Sequence, residues 1–298
     1  LSATAVTGTS LMMNPFQTMA NPLDHVKSVA GFELLILATN WGYEGSWDNF
    51  CSLIKKEGYD GAEVWCPSEE TERQVFVSTF QKHGLKYGFL VGGWEKDFEK
   101  HYQQFEANLK TAISLKPIYI NCHSGRDYFS FDQNKKFIDL TTQVTRDSQV
   151  PIYHETHRSR ILYSAPVAKQ FMEKIPSLQL TLDISHWCNV HETLLADQTE
   201  TVDLAISRAS HIHARIGHQE GPQVNDPRAP EWKNAVEAHL GWWDRIVANK
   251  KKEGKRLTIL TEFGPVDYMP AMPYTRQPLA NQWDINVYML KTLRARYA

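Results

Sequence analysis

Four cysteines in 298 residues, Cys51, Cys66, Cys122 and Cys188, are too few and too scattered for a disulfide framework, and none forms a CxxC pair. They read as buried free thiols. An excess of either charge is also missing, with 32 Lys and Arg against 34 Asp and Glu and a formal net charge of -2. That balance leaves no electrostatic footprint for nucleic acid or an anionic membrane and suits a small neutral or weakly charged substrate. No apolar run approaches the ~20 residues that a spanning helix needs. No G-x-G-x-x-G follows a strand-like run, which removes the usual dinucleotide reading. Nor does a linker divide the chain, so one large α/β domain is expected.

What is present is alternation. Apolar strand-like runs stand at 32–39, 61–65, 86–92, 117–122, 150–154, 178–184, 211–216 and 256–261. Helical stripes separate them, the clearest being Phe98, Tyr102, Phe105, Leu109 and Ile113 at spacings of three and four. Ser46 and Ser68 are expected to cap the first two helices. Eight strands alternating with eight helices predict a parallel (β/α)8 TIM barrel over 31–298, with a doubly wound open sheet as the alternative. Residues 1–30 read as an N-terminal arm. Its opening, Leu1-Ser2-Ala3-Thr4-Ala5-Val6, contains a small-residue triplet like the end of a secretory signal, so both a cytoplasmic and an exported location stay open.

A barrel places chemistry at the C-terminal strand ends. Four runs end there in ligand-type side chains: His154-Glu155-Thr156-His157, Asp183-Ile184-Ser185-His186, His211-Ile212-His213-Ala214-Arg215 and Thr261-Glu262. Strand alternation puts Glu155 with His157, and His211 with His213 and Arg215, on common faces. Glu155, Asp183, His213 and Glu262 could therefore converge at the mouth. Three carboxylates and one imidazole make a hard site suited to one divalent ion, Mn²⁺, Mg²⁺ or Co²⁺, with Zn²⁺ possible. His123, Arg126 and Arg158 follow strands four and five and could contact sugar hydroxyls or a phosphate; a surface salt bridge is the plainer role. Trp41, Trp65 and Trp94 could wall a sugar face or simply pack in the core. The long loop 217–229, rich in Gly, Pro, Asn and Asp, is of the kind that is usually functional.

The order Glu155, Asp183-x-x-His186, His211-x-His213 and Glu262, each at a strand end, resembles the xylose-isomerase-like sugar isomerases and epimerases, nearest in pattern to D-tagatose 3-epimerase and hydroxypyruvate isomerase. The Gly61–Trp65 run resembles that group's second strand. The resemblance implies that Glu155, Asp183, His213 and Glu262 bind the metal. It also implies that Glu155 and Glu262 form the acid/base pair, moving a proton through a metal-stabilised cis-enediolate, and that His186 holds substrate. Arg215, His123, His157, Trp65 and Trp94 complete the expected substrate pocket. Two positions depart from the epimerases: Gln219 stands where they carry an Arg, and Ile161 where they carry a second Glu. The expected partner is a small sugar or keto-polyol, with a homo-oligomer possible and no nucleic acid or membrane. Three alternatives remain: a keto-polyol dehydratase using the same enolate, an apurinic endonuclease with three zinc ions, and a non-catalytic sugar-binding protein. The endonuclease would need His ligands after strands two to four; His123 supplies one, but Gly92-Gly93-Trp94 lacks another.

Overall fold

Short β-branched runs with helices between them can bury both faces only in a parallel sheet covered on the outside. The computed structural model, which describes residues 31–298, shows this arrangement closed on itself. The strands are β1 (Glu33–Thr39), β2 (Gly61–Trp65), β3 (Lys86–Gly92), β4 (Ile120–His123), β5 (Ile152–Glu155), β6 (Leu180–Leu182), β7 (Ala209–His213) and β8 (Arg256–Thr261). Each pairs in parallel with its neighbour in sequence, and β8 returns to β1 with Leu260 opposite Leu37. The fold is a (β/α)8 barrel. The arm expected over 1–30 lies outside the described residues.

The helices are α1 (Trp47–Glu57), α2 (Glu70–His83), α3 (Phe98–Ser114), α4 (Phe131–Ser148), α5 (Ala165–Lys174), α6 (Ile184–His191), α7 (Thr199–Arg208), α8 (Lys233–Glu253) and α9 (Gln282–Tyr297). Ser46 caps α1 as expected, its hydroxyl accepting from the Asn49 amide. Ser68 does not cap α2: Glu69 is the capping residue, and the Arg73 guanidinium takes the carbonyls of Pro67 and Ser68. The sequence reading also gave one helix after β6 where the structure has two. Asp183 starts the extra one, α6, by accepting from the Ser185 amide.

Alternation along the strands divides the interior into two regions. Outward residues such as Ile36, Val64, Phe89, Ile120, Leu182 and Ile259 join the main core beneath the helices. Inward residues Leu37, Tyr119 and Leu260 form a separate cluster that plugs the barrel, with Tyr153 packed against it. Gly88 on β3 makes room for this plug, since a Cβ there would come within 2.5 Å of the Tyr119 ring. Fully burying a leucine-sized side chain is worth roughly 1.5–3 kcal/mol, so the plug contributes to stability as well as filling space. All four cysteines are free, with Cys66 half-buried and the others buried.

Candidate metal centre at the barrel mouth

Above the plug the inward positions become polar in steps of two residues. Tyr119 is followed by Asn121 and His123 on β4, Tyr153 by Glu155 and then His157 on β5, and Leu260 by Glu262 after β8. β7 contributes His211 and His213, with Arg215 beyond it, and β6 hands over to Asp183. Glu63, the inward residue of β2, meets them in the middle.

His213 is the hub. Its Nε2 lies 3.0 Å from Glu63 Oε1, which fixes the ring and leaves Nδ1 facing the mouth. That Nδ1 is 2.8 Å from Glu262 Oε2 and 3.6 Å from Glu155 Oε1. All three atoms are buried, and none makes an aligned hydrogen bond. Glu155 is held by its other oxygen, which accepts from Asn121 Nδ2 at 2.7 Å and meets His123 Nε2 at 2.9 Å. Glu63 is itself positioned by the Tyr119 hydroxyl at 2.8 Å and by His211 Nε2 at 3.1 Å.

Asp183 sits where β6 gives way to α6, so its carboxylate caps the helix while facing the barrel axis. One oxygen accepts from Ser185; the other is bound by Arg215 Nη2. Arg215 is fully buried, with Nη1 3.3 Å from Glu262 Oε2 and its guanidinium 4.8 Å from the Tyr268 ring centroid. Its Nη2 also lies 2.8 Å from His186 Nε2. The His157 ring lies 3.9 Å from that of His186 and 4.5 Å from that of His123, completing an imidazole row along one wall.

At the rim, Trp65 and Trp94 are 42% and 50% exposed and lie 5.0 Å apart, with Trp65 edge-on to His123. They are half-exposed rings beside the mouth rather than core packing. Trp41, 37% exposed, stands over Gly264 against Tyr268. The structure thus brings all of the expected site residues to one end of the barrel. It adds Glu63, Asn121 and Tyr119, which the sequence reading missed. The available signal was a lone charge at Glu63 in a short strand with apolar neighbours on both sides, a position that must find its partner inside the barrel.

The electrostatics follow from burial and proximity. Burial works to raise the Glu155 carboxyl, but His123 and His213 hold it well below the usual carboxylate range. Glu63 is held low in the same way by His213 and His211. Burial pushes Asp183 up to about 6 against the pull of Arg215, with Glu262 and Glu155 adding to the rise. His213 is raised well above an ordinary histidine despite its burial, because Glu262, Glu155 and Glu63 surround it. Burial pushes the His186 and His157 imidazoles well below the ordinary histidine range, and the charge of Arg215 adds to the fall.

This donor set fits a divalent cation. Asp183, His213 and Glu262 each offer a ligand atom within 4.8 Å of the others, and Glu155, Asp183 and His186 do the same. The buried carboxylates Glu63, Glu155, Asp183 and Glu262 gather around His213 and Arg215, and Glu155 Oε1, His213 Nδ1 and Glu262 Oε2, which make no aligned hydrogen bond, are atoms that an ion would satisfy. The set is oxygen-rich with imidazole and lacks thiolate, as a hard or borderline ion requires.

No protein-family model and no curated protein matches the chain. Solved structures do. D-allulose 3-epimerase from Methylomonas sp. is 15% identical, with 88% of this chain and 98% of that one covered and a TM-score of 0.60. The probable 3-DHS dehydratase of petrobactin synthesis from Bacillus anthracis is 16% identical, with 88% and 99% covered and a TM-score of 0.57. Endonuclease IV from Thermus thermophilus is 12% identical, with 89% and 97% covered and a TM-score of 0.52. At these identities the likeness is one of fold, a TIM barrel, which here carries buried His and carboxylate clusters able to hold a divalent ion.

Proposed function

We propose that the protein is a divalent-metal-dependent isomerase or epimerase of a small sugar or keto-polyol. One observation carries the reading: Glu155 Oε1 and Glu262 Oε2 flank the same His213 nitrogen, and all three atoms are buried without hydrogen-bond partners. Glu155, Asp183, His213 and Glu262 would hold the ion. Its chemistry there is that of a Lewis acid, drawing electron density from a carbonyl and the neighbouring hydroxyl.

The remaining chemistry belongs to the side chains. Glu155, kept ionised by His123 and His213, accepts the proton from the carbon beside the carbonyl, its carboxylate oriented by Asn121 and His123 at Oε2. Glu262 returns a proton to the resulting enediolate. Proton transfer by a positioned carboxylate is typically worth about 10²–10⁴-fold. His186 and His157, both neutral, offer hydrogen bonds to substrate hydroxyls, and Trp65 and Trp94 give an apolar edge for the sugar's C–H face. Glu63 fixes the His213 tautomer, the arrangement by which a carboxylate orients a metal-binding imidazole.

The test is solvent exchange. A panel of ketoses incubated with metal-loaded protein in deuterated water should gain deuterium beside the carbonyl, and Glu155→Gln and Glu262→Gln should each abolish the gain. Full exchange in either variant contradicts the two-carboxylate mechanism. Loss of hydroxide from the same enediolate would instead yield a deoxy-diketone, which trapping with a diamine would reveal.

A further inference from the structure

Three cations are buried among the described residues, and two of them have anionic partners. Arg215 is bound to Asp183, and Lys250 lies 3.2 Å from Glu253. The third, Arg160, is 6% exposed, and its Nε and Nη1 are buried with no acceptor. Among the described residues its guanidinium has no ion-pair partner, and it lies over the Trp94 ring, 5.4 Å from guanidinium carbon to centroid. An isolated buried ion is strongly disfavoured, so an unpaired guanidinium in such a place points to a partner that arrives from solution.

Its neighbour sharpens the point. Arg126 is half-buried, its Nε has no acceptor, and its Nη2 donates only to the Trp94 carbonyl, at 3.3 Å. The two loops that carry these arginines are locked together. The Ile161 amide donates to the Ser124 carbonyl at 3.3 Å, and a Cβ on Gly125, which sits at a φ of +57°, would meet Ile161 at 2.7 Å. Asn134 ties the Arg126 backbone down on both sides. Two guanidiniums held together repel each other, and burial together with Arg126 pushes Arg160 down to about 10. Glu155 and Asp127 offset part of this fall through space, and neither forms an ion pair with it.

Both arginines are on the loops after β4 and β5, at the same end of the barrel as the metal centre. Ring contacts from Trp94 to Trp65 to His123, and the His123 contact with Glu155, join the two sites into one wall. We propose that the substrate carries an anionic end group, a carboxylate or a phosphate monoester, which Arg160 and Arg126 bind beside Trp94. This rests on the isomerase reading of the mouth and narrows its substrate class from neutral sugars to sugar acids or sugar phosphates. Planar guanidinium forks suit both groups, since each presents paired oxygens to parallel N–H donors.

The experiment is calorimetric titration of metal-loaded protein with D-fructose, D-fructose 6-phosphate and D-fructuronate, at constant ionic strength. Inorganic phosphate and acetate serve as minimal probes, and deuterium exchange is followed in parallel. At least one anionic ketose should bind about tenfold or more tightly than D-fructose, the scale of charge-assisted hydrogen bonds. Which one does so distinguishes phosphate from carboxylate. Arg160→Met should bring that ratio to about one, and Arg160→Lys should keep part of it. Because Arg160→Met removes an unpaired buried charge, its melting temperature should equal or exceed that of the parent, whereas a structural arginine would lower it on removal. A ratio near one in the parent, a ratio unchanged in Arg160→Met, or failure of every anionic probe to bind overturns the proposal. Anion preference without deuterium exchange in any ketose overturns the isomerase reading and leaves the anion site standing.

Discussion

The lower and upper halves of the barrel interior are built by the same strands and obey opposite rules. Below, Leu37, Tyr119 and Leu260 fill the space with apolar contact, and the one polar atom of the three, the Tyr119 hydroxyl, is satisfied by Glu63. One layer higher the inward positions include Asn121 and Glu262, two residues beyond Tyr119 and Leu260, with Glu155, Asp183 and His213 from the neighbouring strands, and several of their buried atoms have no hydrogen-bond partner. Core packing accounts for the first region. The second is a cluster of buried carboxylates and imidazoles able to coordinate a divalent ion. The contrast also holds among histidines: His154 points outward from β5 with both ring nitrogens bonded, to Ser124 at 2.6 Å and Thr141 at 2.7 Å, whereas His213 keeps Nδ1 free of any aligned bond. A buried imidazole becomes a candidate ligand when a nitrogen is left over, not merely because it is buried.

If that division is real, substitutions should sort by level. The largest effect belongs at the top: Glu155→Gln should reduce turnover by about 10²–10⁴-fold while the melting temperature changes little, read by deuterium exchange beside a thermal melt. Next comes the plug, where Leu260→Ala should cost about 2–5 kcal/mol of stability and leave the metal content of the folded protein intact; denaturant titration measures the first and elemental analysis the second. A plug variant that loses metal without losing stability would erase the distinction. Glu63→Gln lies between the levels. It keeps the packing but weakens the hold on the His213 ring, so metal affinity should fall about 10–100-fold, measured by competition with a chelator.

The effect that vanishes at neutral pH is the acid response of His154. Burial depresses its imidazole from 6.5 to about 3, so between those values the unfolded chain takes up a proton that the folded chain refuses. Its contribution to stability is therefore complete above about 6.5 and is lost as pH falls towards about 3, at up to ~1.4 kcal/mol per pH unit. His154→Gln should flatten that part of the stability curve in denaturant melts. An unchanged slope would assign the acid sensitivity to other groups.

The sequence made the upper ring legible because each ligand follows an apolar strand run, and strand parity then places alternate residues on one face. Its limits were physical as well. Glu63 and Asn121 lie within strands, where a single polar residue has no motif around it, and their partners come from β5 and β7, far away in the chain. α6 is only eight residues long and begins at Asp183-x-x-His186, a spacing that reads as a ligand pair, whereas the capping role of Asp183 is invisible until β6 ends. Arg160 sits in an irregular loop with no periodicity, and its meaning comes from what it lacks, a carboxylate within reach. The tryptophans at the strand ends carried no mark of exposure; that depends on whether a helix or loop covers the rim.

In the proposed function Glu155, Asp183, His213 and Glu262 hold one divalent ion at the mouth of the barrel. Elemental analysis of the purified protein after reconstitution with Mn²⁺, Mg²⁺, Co²⁺ or Zn²⁺, beside an Asp183→Asn/His213→Gln double variant, tests it most directly. About one ion per chain in the parent and none in the variant is the expected result. No bound ion in the parent, or an ion retained by the folded variant, would contradict it.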